Sequence, residues 1–424
     1  MPMPKTARLK PSTNQTTVSA SACNGIRNIK PAKTTCPRRC SKPLIQPYGK
    51  QARKNKRRNL MDNMLTLAAG PAALRHIREH GLCPDDIATI FGASGAAKWL
   101  AIAGLDRAIF ANWMAGRTNT APVDLYGTSV GAFKLAAAAR RDPAHALATL
   151  AQAYIAQSYS DALTPDTIAN ETHKTLIRFL GDGSEDLSQG VSEILTSPQY
   201  HLHIGAVRAH GLLNSDRRGR KILALTRGFV RSASGRNALR GMAERAVFSD
   251  PRSDLHFDAR DGLPVNHRTL TAQNFYDALR ASGTIPVYMR PVRLADDASH
   301  SYLDGGLLDY HPVPGSFWPT SDGIVLYPHF YDHFKIRWFD KFAPWRKAGQ
   351  HLLENVVMVA PGPAFIRALP DAKLPSRQDF TKYRRREGVR FDKWQAIVRQ
   401  SDALGERFIE LCKTGDIAAH IRPL

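Results

Sequence analysis

The spacing of apolar and polar positions changes abruptly along this chain. Residues 1–60 carry no helical or strand period; Pro, Thr, Ser, Asn, Lys and Arg dominate, and the stretch ends in Arg53-Lys54-Asn55-Lys56-Arg57-Arg58. Such a segment is expected to be disordered. From about Leu65 the chain becomes rich in Ala, Leu and Ile. The apolar run Ile87–Phe91 ends at Gly92, a loop of small residues follows, and apolar positions then recur at helical spacing from Lys98 to Met114. That order is strand, glycine loop, helix. It returns at once, with Val123–Tyr126 as strand, Gly127–Gly131 as turn and Ala132–Arg141 as an Ala-rich helix.

Two adjacent units of this kind predict a mainly parallel sheet covered by helices, a three-layer α/β/α fold whose ligands bind beyond the carboxyl ends of the strands. Further patterns predict strands at Tyr200–Val207, Lys221–Thr226, Tyr302–Leu303 and Gly323–Tyr327, and helices at His145–Gln157, Thr271–Ser282 and Lys393–Cys412. The expected organisation is a basic leader (1–60), a main α/β domain (61–360) and a helical carboxyl-terminal extension packed on the core (361–424).

Composition narrows the function classes. With 43% apolar and 23% charged residues among 424, the chain has the make-up of a globular protein rather than a fibrous or disordered one. No window approaches eighteen uninterrupted apolar residues, which excludes a spanning helix. The net charge of +22 would suggest nucleic acid or an anionic membrane, but fifteen of the 59 basic residues lie in residues 1–60, where there is no Asp or Glu. The remainder carries only +7, so nucleic acid is not the expected partner. The leader has no apolar core of the secretory kind, although its composition overlaps with organellar transit segments; a start at Met61 or Met64 is the alternative. Five scattered cysteines make no disulfide framework and fit a reducing, cytoplasmic setting. Cys36 and Cys40 lack a second pair at zinc-finger spacing, so no metal site is expected there.

Gly127-Thr128-Ser129-Val130-Gly131 fits G-x-S-x-G, a strained strand-to-helix turn that projects a serine hydroxyl above the sheet. It sits in the setting that chemistry requires, between a strand-like run and an Ala-rich helix. Ser129 is therefore the candidate nucleophile; otherwise it caps a helix at a tight turn. A serine nucleophile needs a base and preorganised donors for the oxyanion. The loop Gly92-Ala93-Ser94-Gly95-Ala96-Ala97-Lys98 can supply donors, because small side chains expose its amides at a helix N-terminus. It is neither a Walker A loop nor a G-x-G-x-x-G fingerprint.

The base is sought in Tyr302-Leu303-Asp304-Gly305-Gly306, where a short strand delivers Asp304 to a sharp turn. Taken in order, the Gly92–Lys98 loop, the Ser129 elbow and Asp304-Gly305-Gly306 resemble the patatin-like phospholipase family. Ala281-Ser282-Gly283-Thr284-Ile285-Pro286 and Pro312-Val313 strengthen the likeness, which spans roughly residues 65–330. The resemblance implies a Ser-Asp dyad of Ser129 and Asp304, hydrolysis of acyl esters of phospholipids or acylglycerols, and no metal or organic cofactor. A carboxylate near its ordinary value of about 3.9 is a weak base toward a hydroxyl, so the oxyanion loop must carry much of the rate. The loop departs from the family's Gly-Gly-Gly-x-Arg/Lys-Gly in having Ala96 and Trp99 at glycine positions, and a positive φ at either would strain it. Lys98 matches the basic position.

Histidines offer a rival arrangement. His311, His329 and His333 all follow Ser129, and His311 is the alternative base of a Ser-His-Asp hydrolase or thioesterase. His201, His203 and His210 alternate about a strand but have no acidic partner at ligand spacing, so they read as structural. A catalytically silent basic binding protein is the rival from another class. The expected partner is an acyl lipid, reached by transient membrane-surface contact through apolar loops and basic residues such as Arg384-Arg385-Arg386.

Overall fold

The structure is a computed structural model that describes residues 63–159, 163–232, 239–318, 323–343 and 345–424. The expectations for the leader, Cys36 and Cys40 included, lie outside them. Among the described residues eleven strands form one sheet: β1 (Leu65–Ala69), β2 (Ile87–Gly92), β3 (Val123–Thr128), β4 (Tyr200–Ala209), β5 (Ala243–Ser249), β6 (Val265–Thr269), β7 (Val292–Leu294), β8 (Asp297–Asp304), β9 (Ile324–Pro328), β10 (Val356–Pro361) and β11 (Ile421–Pro423). The order is β11-β1-β10-β9-β2-β3-β4-β5-β6, with β8 also on β4 and β7 on β8. From β10 to β4 every pairing is parallel. Helices flank this sheet, giving the three-layer α/β/α architecture. The interior strands β9 and β10 are apolar throughout and wholly buried, as strands covered on both faces must be.

One feature of the pairing positions the site. β4 is long enough to serve two neighbours along one edge: its first half pairs in parallel with β3 until Thr128 meets Gly205, and its second half pairs antiparallel with β8 from Ala206 opposite Asp304. The carboxyl ends of β3 and β8 therefore meet head-on at consecutive residues of β4. Ser129 follows the end of one, and Asp304 is the end of the other.

The helices are α1 (Pro71–His80), α2 (Ala103–Arg107), α3 (Val130–Ala138), α4 (Pro143–Ala156), α5 (Pro165–Leu180), α6 (Ser188–Leu195), α7 (Arg218–Ser232), α8 (Phe275–Ser282), α9 (Pro363–Ala368), α10 (Gln378–Lys382), α11 (Glu387–Gln400), α12 (Asp402–Thr414) and α13 (Ile417–His420). Every residue of α3 is buried, including Lys134, which pairs with buried Asp106 at 2.8 Å.

Three expectations are corrected. Lys221–Thr226 lies within α7 instead of forming a strand; a short apolar run does not distinguish the two, and the longer context decides. The predicted helix 393–412 is two helices broken at Ser401, whose Oγ accepts the Gly104 N–H at 2.8 Å. The predicted helix 98–114 winds as 3₁₀ (Ala96–Ile102), α2, π (Ala108–Trp113) and 3₁₀ (Met114–Gly116). At Gly104 it crosses the Ser401 break so closely that a Cβ would stand 2.4 Å from the Asp402 nitrogen. After that break α12 leads through α13 into β11, which pairs with β1.

Candidate active site

Ser129 sits on a strained turn. Its φ of 55° and ψ of −132° are rare for a residue with a side chain, and the glycines around it make room. A Cβ on Gly131 would lie 2.2 Å from the Gly92 carbonyl oxygen, so α3 starts directly against β2. The Ser129 N–H donates to Ser282 Oγ at 2.8 Å, and Ser282 Oγ donates to the Gly205 carbonyl at 2.6 Å. Below the turn, Thr128 Oγ1 bonds Ser94 Oγ and the Asp309 carbonyl, both at 2.8 Å.

Ser129 Oγ donates to Asp304 Oδ2 at 2.9 Å. The other carboxylate oxygen accepts the Gly306 N–H at 2.7 Å, and the Asp304 N–H donates to the Thr284 carbonyl at 2.7 Å. Burial pushes the Asp304 carboxyl up to about 6, against the opposing pull of the Gly306 N–H, the Ser129 hydroxyl, Lys341 and Arg377. Ser129 lies where two cavities adjoin. One, of about 530 Å³, is also lined by Asp304, Gly306, Lys98, Lys341 and Arg377. The other, of about 290 Å³, is lined mainly by apolar and aromatic side chains such as Phe133, Tyr154, Tyr159, Met289 and Phe380.

The glycine loop divides by position. Ser94, Gly95, Ala96 and Lys98 line the larger cavity, and Ala96 lines both. Gly92, Ala93 and Ala97 are buried and line neither. The Ser94 N–H is taken by the Tyr310 carbonyl at 2.9 Å, whereas those of Gly95, Ala96 and Val130 meet no acceptor among the described residues. Ala96 has a φ of 48°, so the strain expected at a glycine position is present there. Trp99 has no positive φ and is buried edge-on to Tyr154.

Compared with protein-family models, residues 92–315 match the patatin-like phospholipase model, a span holding the loop, the elbow and Asp304. The chain belongs to the patatin-like phospholipase family. Neither the curated proteins nor the solved structures compared with it gave a match. Membership makes this patatin-like chain a hydrolase of lipid esters. Among its described residues no helix is long and apolar enough to cross a membrane.

The histidines of this patatin-like protein stand apart from Ser129. His311 is buried, its Nδ1 accepts the Lys335 N–H at 2.9 Å, and its ring packs on Tyr310 and His329. It forms no hydrogen bond with Ser129 or Asp304. Burial, with His329, His333 and nearby lysines, holds it well below its ordinary value. His329 is also buried and bonded to Tyr331, and exposed His333 pairs with Asp332. His203 bonds Asp124 at 2.9 Å, His201 lies 3.7 Å from the same carboxylate, and His210 pairs with Glu244. Among the described residues no group of three or more His, Cys, Asp or Glu could hold a metal ion.

Sequence reasoning did not single out Val130, Ser282, Lys341 or Arg377. Val130 had a signal, being the residue after the elbow serine at a helix start. Ser282 stood in a motif without an assigned task. Lys341 and Arg377 lie beyond residue 315 in stretches with no motif. The Lys341 Nζ stands 3.6 Å from the centre of the Tyr310 ring, Lys98 Nζ is 3.5 Å from the Gly95 carbonyl, and the Arg377 guanidinium lies over Tyr288. None of the three has a carboxylate partner among the described residues, and Asp304 is the one carboxylate lining their cavity. Burial and mutual repulsion lower Lys341 to about 7 and Lys98 to about 8.

Proposed function

We propose that this protein is a serine lipid acyl hydrolase in which Ser129 is the nucleophile and Asp304 the general base. The observation that carries the reading is the 2.9 Å contact from Ser129 Oγ to Asp304 Oδ2 where the two cavities adjoin. Ser129 Oγ attacks the ester carbonyl carbon while its proton passes to Asp304. The N–H groups of Gly95, Ala96 and Val130 stabilise the oxyanion, helped by the positive end of α3. Collapse of the tetrahedral intermediate breaks the ester bond, and the leaving alkoxide takes the proton from Asp304. Water then attacks the acyl-enzyme, Asp304 accepts its proton and returns it to Ser129 Oγ, and the fatty acid departs. A carboxyl raised to about 6 is a better base than an ordinary aspartate and is still ionised at neutral pH.

The two cavities suit the two halves of such a substrate. The apolar compartment suits an acyl chain. Lys98 and Lys341 in the other, with Arg377 on the wall the two cavities share, are cations without carboxylate partners among the described residues and favour an anionic leaving group such as a phosphate-bearing glycerol. The test is labelling with a fluorophosphonate together with fatty-acid release. Wild-type protein should label and Ser129→Ala should not, with release falling about 10³-fold or more in Ser129→Ala and Asp304→Asn but not in His311→Ala. Labelling that persists in Ser129→Ala, or a His311→Ala variant as inactive as Asp304→Asn, would exclude the dyad. Absence of both labelling and release in the wild type would leave a silent binding protein.

A further inference from the structure

We propose that the outward face of α7, together with Phe342 and Trp345, is a docking surface for anionic lipid, placed so that the bound surface feeds the larger cavity. The proposal rests on the reading of this protein as a lipid acyl hydrolase.

α7 is packed inside out. A helix covering a core turns its large apolar residues inward. Here the buried positions are Lys221, Ala224 and Gly228, while Ile222, Leu223, Thr226, Phe229 and Val230 face outward. Their spacing of one, four, seven and eight places them in one stripe. Ile222 is 46% exposed and Val230 65%. Arg218, Arg220, Arg227 and Arg231 border the stripe, and the helix contains no acidic residue. Lipid-surface helices combine an apolar stripe with flanking arginines in this way.

The stripe continues toward the site. The Phe229 ring meets Phe342 at 5.5 Å, and Phe342 meets Trp338 at 5.6 Å. Trp338, with Leu225 of α7, lines the cavity that holds Asp304. Phe342 is 56% exposed, and Trp345, which joins the patch by standing three residues further along the chain, is 75% exposed. Two more exposed large apolar side chains, Leu163 and Tyr288, line the cavities themselves. Of the exposed large apolar residues among those described, only Val389 lies outside the patch and the cavity linings. The Arg384-Arg385-Arg386 run, expected to touch lipid, sits in an exposed turn between α10 and α11 without such a stripe.

Charge selects the occupant. A second copy packed face to face would set four arginines against four arginines, whereas a phosphate-rich headgroup layer complements them. A lipid leaving that layer enters the larger cavity beside Leu225 and Trp338, and Ser129 stands on the lining of the same cavity.

The test uses the full chain, so that the basic leader is common to all samples, at salt high enough to screen it. Wild-type protein and an Ile222→Ser, Val230→Ser, Trp345→Ser variant are sedimented with phosphatidylcholine vesicles containing phosphatidylglycerol. They are also assayed on vesicle lipid and on a soluble short-chain ester. The variant should lose about tenfold or more in vesicle partition and in vesicle hydrolysis while its soluble-ester rate is unchanged. Equal partition of the two proteins would overturn the proposal, as would a variant that partitions normally but turns from dimer to monomer, which would assign the face to a second copy. Vesicle partition reads the docking face even in a protein that hydrolyses nothing, so failure of the two readings is distinguishable.

Discussion

Ser282 holds Ser129 by its backbone: one hydroxyl accepts the Ser129 N–H and donates to Gly205, joining the end of α8, the elbow and β4. The bond has work to do, because a backbone at φ 55° persists only where its surroundings over-determine it. It also occupies the Ser129 N–H, so that the N–H groups at the site without an acceptor among the described residues are those of Gly95, Ala96 and Val130. Ser282→Ala should cost about 1–3 kcal/mol in denaturant unfolding, since it strands a donor and an acceptor. It should lower kcat about tenfold with little change in KM, and Ser282→Thr should restore much of the loss. A rise in KM at unchanged kcat would instead make Ser282 a substrate contact.

On the proposed mechanism, the raised pKa of Asp304 ties activity to instability. Burial favours the protonated carboxyl in the folded state, at about 6 against 3.8 for an ordinary aspartate. The folded protein thus binds the extra proton between those values, and stability present below about 4 is lost as pH rises through 6. Asp304→Asn should therefore be more stable than wild type at pH 8, by on the order of 1–3 kcal/mol, with the gain vanishing near pH 4. Wild-type kcat/KM should rise through about pH 6 as the base ionises. Thermal unfolding at both pH values and a pH–rate profile check this; a variant no more stable at pH 8 than at pH 4, relative to wild type, would contradict it.

Much of this architecture is legible without coordinates, for identifiable reasons. Ile87–Phe91 and Val123–Tyr126 read as strands because each is an apolar run stopped by glycine, and their repetition implies parallel pairing. Ser129 reads as a candidate nucleophile because it stands at a strand end between glycines the turn requires, and Asp304, at another strand end, is paired with it through the resemblance to patatin-like phospholipases. Val356–Pro361 is an interior strand that pattern analysis does not pick out, and Lys221–Thr226 misleads because α7 carries its apolar residues on the wrong side for a core helix. Lys341 and Arg377 are invisible in sequence because their position depends on how the chain after β9 returns over the cavity, and no local motif encodes that.

Beneath the elbow a buried charge network braces the site. The Arg245 guanidinium holds Asp309 with two bonds of 2.6 and 2.8 Å and Asp261 with two of 2.9 and 3.4 Å, while the Asp309 carbonyl accepts the Thr128 hydroxyl. Arg245 and Asp309 are almost wholly buried. Such a pair adds little over an apolar packing, yet removing one partner strands the other charge. Asp309→Ala should therefore destabilise the protein by about 3 kcal/mol or more in denaturant unfolding. Arg245→Met, combined with Asp309→Leu, should recover a good part of that loss. A loss below about 1 kcal/mol for Asp309→Ala would mean that Asp261 alone satisfies the guanidinium.

Selectivity should follow the charge of Lys341. This side chain is held near 7 by burial and by the cations Lys98 and Arg377, so its positive charge is present at pH 6 and largely lost by pH 8. An anionic leaving group would be favoured over a neutral one below pH 7, and the preference should decline as pH rises through that value. Lys341→Met should lower kcat/KM for a phosphate-bearing monoacylglycerol about tenfold, mainly through KM, and leave a neutral monoacylglycerol within about twofold. In that variant the fall of selectivity near pH 7 should disappear, leaving the later fall near pH 8 that Lys98 supplies. Competing the two substrates across pH 6 to 9 reads both effects. An anionic preference independent of pH in the wild type and unchanged in Lys341→Met would move headgroup recognition away from this cavity.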